Sequence, residues 1–132
     1  MESGALARKT LKVVDIIAET ADTKSFVLKC IDGQIDYKAG QFLTFVFRKR
    51  TGDEARRSYS ISSSPELNEP LTITVKRIAN GEYSRYLNDQ LSTGDEIQTI
   101  GASGFFILPE NATRFSKIVF MAAGSVADCV LK

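Results

Sequence analysis

Seven short runs rich in β-branched and aromatic residues, set apart by turn signals at nearly even intervals, leave this chain few folds. The runs are "LKVVDIIAET" (11–20), "SFVLKCI" (25–31), "QFLTFVF" (41–47), "RSYSIS" (57–62), "LTITVKRI" (71–78), "DEIQTIG" (95–101) and "KIVFMAA" (117–123). Such side chains fit a pleated, half-buried surface. Asp32-Gly33, Ala39-Gly40, Thr51-Gly52-Asp53, Pro65, Asn80-Gly81 and Thr93-Gly94-Asp95 stand between them as breakers. Short strands at this spacing predict an all-β fold, a closed antiparallel barrel or a sandwich. Leu71, Ile73 and Val75 alternate with Thr72, Thr74 and Lys76, so one face of that strand is apolar and the other polar. "QFLTFVF" is apolar on both faces and should be covered on both sides. One helix is expected at 84–91, with Ser84 as N-cap and Tyr83, Leu87 and Leu91 along one side.

What the chain lacks narrows its chemistry. It has 132 residues, enough for one domain. A formal net charge of +1 gives no global field toward nucleic acid or an anionic membrane. No apolar run reaches bilayer length, and "MESGALARKT" has no apolar signal core, so the expectation is a soluble, cytoplasmic protein. There is no histidine, which removes the commonest general base and metal ligand. Cys30 and Cys129 form no metal-ligand spacing, and Cys30 reads as a small buried hydrophobe. Redox work would therefore need a bound cofactor.

Two segments are polar in a way that a core does not require. In "ARRSYSISSSPE" (55–66), Arg57 and Tyr59 are two apart and share one side of a regular strand. A ring and a guanidinium on one face can clamp a flat aromatic ligand that carries phosphate. Ser60 points the other way unless the strand bends. In "TVKRIANGEYSRYL" (74–87), Thr74 and Lys76 lie on a polar strand face, followed by Gly81 and a helix start at Ser84. Gly81 is expected to hold a positive-φ turn, and the helix start to bind an anion.

These residues resemble the flavin motifs of the ferredoxin–NADP reductase superfamily. Arg57-Ser58-Tyr59-Ser60 matches its R-x-Y-S motif, and Thr74-Val75-Lys76 and Gly81-Glu82-Tyr83-Ser84 look like its second and third FAD contacts. "AGQF" (39–42) and "GASGFFILP" (101–109) are similar to its barrel. The pattern is most similar to bacterial oxygenase-reductase and phenylacetate-degradation reductase components. The resemblance implies a six-stranded antiparallel Greek-key barrel with one short helix and FAD on its outer surface. It implies that Tyr59 stacks on the isoalloxazine, Arg57 binds the pyrophosphate, and Ser60 bonds near the reactive flavin nitrogen. Thr74, Val75 and Lys76 would line the ribityl and phosphate region, and Gly81, Glu82, Tyr83 and Ser84 the pyrophosphate. Ser125, in the turn after the last strand, joins the cofactor set. The residues by themselves do not choose FAD over FMN.

The family's G-x-x-P after that strand is replaced by Gly124-Ser125-Val126-Ala127-Asp128. The expected organisation is a flexible tail at 1–8, an FAD-binding barrel at 9–116, and a truncated start of a nicotinamide-binding domain at 117–132. The resemblance thus implies the flavin domain of an NAD(P)H oxidoreductase that relays electrons to an iron–sulfur or haem protein, here without the nicotinamide-binding half. The apolar edge of the strand at 117–123, left without neighbours, is expected to drive self-association through the C-terminal segment. The competing reading is a non-enzymatic barrel that binds another phosphate-bearing ligand or a protein. The basic cluster Arg48, Lys49, Arg50, Arg56 and Arg57 reads first as a solvated hairpin and second as a dock for an acidic partner. At least one of Phe105 and Phe106 is expected in the barrel core, with the adenine end of FAD as the alternative use.

Overall fold

The computed structural model describes residues 8–108 together with 114, 116, 117 and 119. Six strands form one antiparallel sheet: β1 (Lys9–Thr20), β2 (Thr23–Cys30), β3 (Phe42–Arg48), β4 (Glu54–Ser60), β5 (Thr72–Lys76) and β6 (Glu96–Ser103). One helix, α1 (Glu82–Gln90), joins β5 to β6. Of the predicted strand at 117–123 only residues 117 and 119 are described, and Ser125 lies outside the described residues.

The strand order is β4-β3-β6-β1-β2-β5. Hairpins supply the β1–β2 and β3–β4 pairs, and the crossing pairs β3–β6, β6–β1 and β2–β5 give the Greek-key character. The sheet is not closed by a full ladder. Its edges β4 and β5 meet through one bridge, Ile61 to Ile73, beside a bond from the Ser62 backbone N–H to the Thr72 carbonyl. Before that bridge the two edges stand apart, and α1 sits across the gap.

Alternation along the strands builds the core. Leu11, Val13, Phe26, Leu43, Phe45, Ile61, Ile73 and Leu87 are at most 1% exposed, so the inner face of nearly every strand meets the apolar side of α1. β3 is buried at Leu43 and at Phe45 through Phe47, as its two-sided apolar sequence predicts. In β6 the register slips at Ile100, because Thr44 pairs with Gly101 and Phe45 with Thr99. The buried Thr99 hydroxyl donates to the Thr44 carbonyl at 2.6 Å and accepts from the Gly101 N–H at 3.0 Å, satisfying the bulge.

Two expectations are corrected. Phe105 and Phe106 are 100% and 59% exposed, so neither enters the barrel core. Gly104, at φ +119°, turns the chain out of β6 just before them. Cys30 is only partly buried; its thiol reaches Asp32 Oδ1 at 3.4 Å while its other side packs on the core.

The acidic side chains predict how this fold responds to pH. Arg8 forms a two-pronged ion pair with Glu54 and holds that carboxyl below its ordinary 4.5. Asp32, accepting the Thr10 backbone N–H, and Asp22, accepting the Thr20 hydroxyl, are held below 3.8. A carboxyl depressed by folding stabilises the fold above its unfolded value and loses that contribution as pH falls through the folded one. The melting temperature should therefore decline as pH drops below about 4.5. A flat acid limb in a thermal-melt series would refute this.

Candidate functional site

β4 presents Ala55, Arg57, Tyr59 and Ile61 toward the inner side, opposite Phe47, Phe45 and Leu43 of β3. Ala55 and Ile61 are buried, whereas Arg57 is exposed and Tyr59 half-buried, because between them β4 has lost its neighbour on the β5 side. Tyr59 leans on Phe45 with ring centroids 6.0 Å apart and planes tilted by 46°. Burial pushes its phenol above the usual value, opposed by the nearby Arg57 charge. The phenol therefore stays neutral at physiological pH.

Arg57 reaches α1. Its guanidinium carbon lies 4.9 Å from the centroid of the Tyr83 ring, whose own ring centroid is 4.4 Å from that of Phe47. Its only hydrogen bond among the described residues runs from Nη1 to the Arg56 carbonyl, so no carboxylate competes for it. The sequence-predicted clamp and cradle are thus brought together at Arg57 and Tyr83.

The helix start differs from its prediction. Gly81, not Ser84, is the N-cap, and Gly81 sits at φ −92°, outside the left-handed region. Its glycine is needed for space: a Cβ there would lie 2.5 Å from Ser84 Oγ and 3.1 Å from Ile78 Cβ. Ser84 lies in the first turn, accepts the Ile78 N–H at 3.0 Å and donates to the Gly81 carbonyl at 3.2 Å. The N–H groups of Glu82, Tyr83 and Ser84 have no intrahelical acceptor. They find no other among the described residues. Three free donors, a helix dipole and an unpaired guanidinium fit a phosphate group, and the half-buried phenol fits a flat ring. FAD carries both groups.

The remaining predicted residues are placed less favourably. Ser58 bonds Thr44 at 2.8 Å on the opposite side of β4, and Ser60 is exposed at its end. Thr74 has its hydroxyl engaged with Ser62 and Ser25, at 2.8 and 2.9 Å. Val75 turns its side chain into the core, 1% exposed, and its carbonyl accepts from Asn88 Nδ2 at 3.2 Å. Lys76 is exposed. Sequence reasoning missed Asn88, which is 4% exposed and ties α1 to β5 through that bond and another to the Ser84 carbonyl. Its signal was a polar side chain one position from Leu87, on the apolar side of the helix.

Among the described residues no group of acidic, cysteine or histidine side chains could hold a metal, and no helix is long and apolar enough to cross a membrane. A family model described as an oxidoreductase FAD-binding domain matches residues 10–107. The ferredoxin reductase component of 3-ketosteroid-9-alpha-monooxygenase from Mycolicibacterium smegmatis is 39% identical over 122 residues, covering 87% of this chain and 33% of that protein. The glycine betaine monooxygenase reductase subunit of Pseudomonas aeruginosa is 33% identical over 126 residues, covering 93% of this chain and 33% of that protein. A ferredoxin–NADP+ reductase from Neisseria gonorrhoeae, solved with bound FAD and NADP, superposes with a TM-score of 0.62 at 26% identity, over 74% of this chain and 39% of that one. The chain spans about a third of the length of these two curated relatives. A sheet of this order, a ring-and-guanidinium clamp facing a helix start, and a match across most of the described residues converge: the chain belongs to the family of oxidoreductase FAD-binding domains.

Proposed function

We propose that this chain is the flavin module of a cytoplasmic NAD(P)H-dependent oxidoreductase, holding FAD in the gap between β4 and β5 and passing electrons to an iron–sulfur or haem partner. The observation that carries the proposal is the Arg57 guanidinium, poised 4.9 Å over the Tyr83 ring beside three free N–H groups of α1. Tyr59 supplies the stacking ring, and Ser60, at the open end of β4, lies next to it for a polar contact with the flavin edge. Lys76 adds a cation on the β5 side. Thr74 and Val75 act by shaping the β5 edge, since their polar groups are already engaged. Glu82, Tyr83 and Ser84 contribute backbone donors, and Gly81 keeps the turn close. The module is residues 9–116, and 117–132 lead toward a nicotinamide-binding part. A bound flavin, held by Arg57, Tyr59 and the start of α1, would supply the hydride and electron-transfer chemistry that the chain's own side chains lack. The monooxygenase reductase names of the two relatives support an electron-transfer role.

Titrating FAD into the purified chain should quench flavin fluorescence as the ring stacks on Tyr59. A colourless protein that leaves added FAD unquenched would reject the proposal. Tyr59→Ala should weaken FAD and FMN alike by about 1–3 kcal/mol, the range for stacking a flat base on an aromatic ring. Unchanged affinity would remove Tyr59 from the site.

A further inference from the structure

The turn that leads into α1 carries a reactive pair. Asn80 is exposed, and Gly81 beside it is the helix N-cap. We propose that Asn80 is a site of deamidation, and that the carboxylate formed there competes with phosphate for the start of α1. The conversion stands on the turn alone; the competition rests on the flavin placement proposed above.

The conversion consumes only water. The Gly81 backbone nitrogen gives its proton to solvent and attacks Asn80 Cγ. An N–Cγ bond forms, the Cγ–Nδ2 bond breaks, and the amide leaves as ammonia, with a proton returned from solvent. Water then opens the cyclic imide. Opening at Cγ gives aspartate; opening at the Asn80 carbonyl carbon gives isoaspartate, in which the chain runs through the former side chain. A following residue without a Cβ leaves the attacking nitrogen open to this approach. Here the fold itself demands such a residue, because a Cβ on Gly81 would lie 2.5 Å from Ser84 Oγ and 3.1 Å from Ile78 Cβ. The turn is closed by bonds from the Gly81 N–H to the Ile78 carbonyl at 2.9 Å and from the Ile78 N–H to Ser84 Oγ at 3.0 Å. Neither bond holds the Asn80 side chain. The first restrains the attacking nitrogen, so conversion proceeds from openings of a turn whose residues 78–80 are all exposed. A ligand seated on the helix start keeps the turn closed and slows it.

The consequence follows from where the new charge lies. An aspartate side chain commonly accepts the backbone N–H two residues on, which from position 80 is that of Glu82. That donor is one of the three at the start of α1 without an acceptor among the described residues. A neutral amide leaves it to an arriving phosphate. A carboxylate takes it and adds a negative charge beside that of Glu82, so phosphate meets repulsion and one bond fewer. The isoaspartate form also adds a methylene just before Gly81, where the approach to Ser84 has no slack. The helix itself gains from an anion at its first turn. Binding should therefore suffer while the fold does not.

The test ages the whole chain in warm, mildly alkaline buffer, with and without saturating FAD, and reads peptide maps and the binding of FAD and riboflavin. The peptide with Asn80 should convert ahead of those with Asn68 and Asn88, which precede glutamate and aspartate, and more slowly with FAD present. Aged chain should lose about 10-fold in FAD affinity, the scale of one charged hydrogen bond. Riboflavin, which has no phosphate, should stay within about twofold. Fresh Asn80→Asp should show the same split with no fall in melting temperature. Asn80→Gln should bind FAD as wild type does and keep that affinity on ageing. If Asn80 stays an amide while other asparagines convert, the site is overturned. Conversion with unchanged FAD affinity, or with equal losses for FAD and riboflavin, overturns the competition. A fresh wild-type chain that binds neither flavin overturns the flavin placement and the competition together, and the maps alone then decide the conversion.

Discussion

Phe45→Ala should lower the unfolding free energy by about 3–5 kcal/mol, the usual range for truncating a fully buried phenylalanine. Phe45 is 0% exposed, pairs with Arg57 on β4 and Thr99 on β6, and lies between Phe47 and Tyr59 at centroid distances of 6.3 and 6.0 Å. Removing its ring opens a cavity where β3 cannot move inward, since both its neighbours hold it in register. A domain of this size typically has about 5–15 kcal/mol in total, so about a fifth or more is at stake. Urea unfolding with an unchanged m-value measures it directly. A loss of only about 0.5 kcal/mol, the size of a surface change, would mean that the centre of the core lies elsewhere. Because Tyr59 rests on Phe45, flavin affinity should fall with stability in this variant.

Arg57→Ala should show the opposite separation, a binding defect with little change in folding. The side chain is exposed, and its contact with Tyr83 at 4.9 Å is worth about 0.5–1 kcal/mol at such a site. A hydrogen bond to a charged group is worth about 1.5–3 kcal/mol, so FAD affinity should drop roughly 10- to 150-fold. Riboflavin, which has no phosphate, should lose far less. Equal losses for the two ligands would take phosphate recognition away from Arg57.

The strands were legible because period-two alternation reports local burial, and all six turn signals fell between the strands and helix as expected. The stretch "ARRSYSISSSPE" shows where local pattern stops. Its arginine and tyrosine at 57 and 59 do face the gap. Its serines mostly serve the fold: Ser62 bonds Thr74, Ser63 bonds Tyr37 and the Thr72 N–H, and Ser64 bonds Glu66 and Glu69. Those three are 3–7% exposed because the chain crosses there from the β4 edge to the β5 edge. A hydroxyl bound for a tertiary contact looks the same in sequence as one bound for a ligand. Ser84 misled for the same reason, since its oxygen closes the Ile78–Gly81 turn and leaves the cap to a glycine.

The single bridge between Ile61 and Ile73 carries a consequence beyond geometry. A barrel joined by a ladder keeps its shape unaided, but one fastened at a single point leaves its seam free to part. Anything that spans the seam and binds only the assembled chain deepens the folded well, by about 2.7 kcal/mol when present at a hundred times its dissociation constant. With FAD as that stave, vitamin supply becomes a folding variable. In a riboflavin-starved cell, turnover by proteases would set how much of this chain persists.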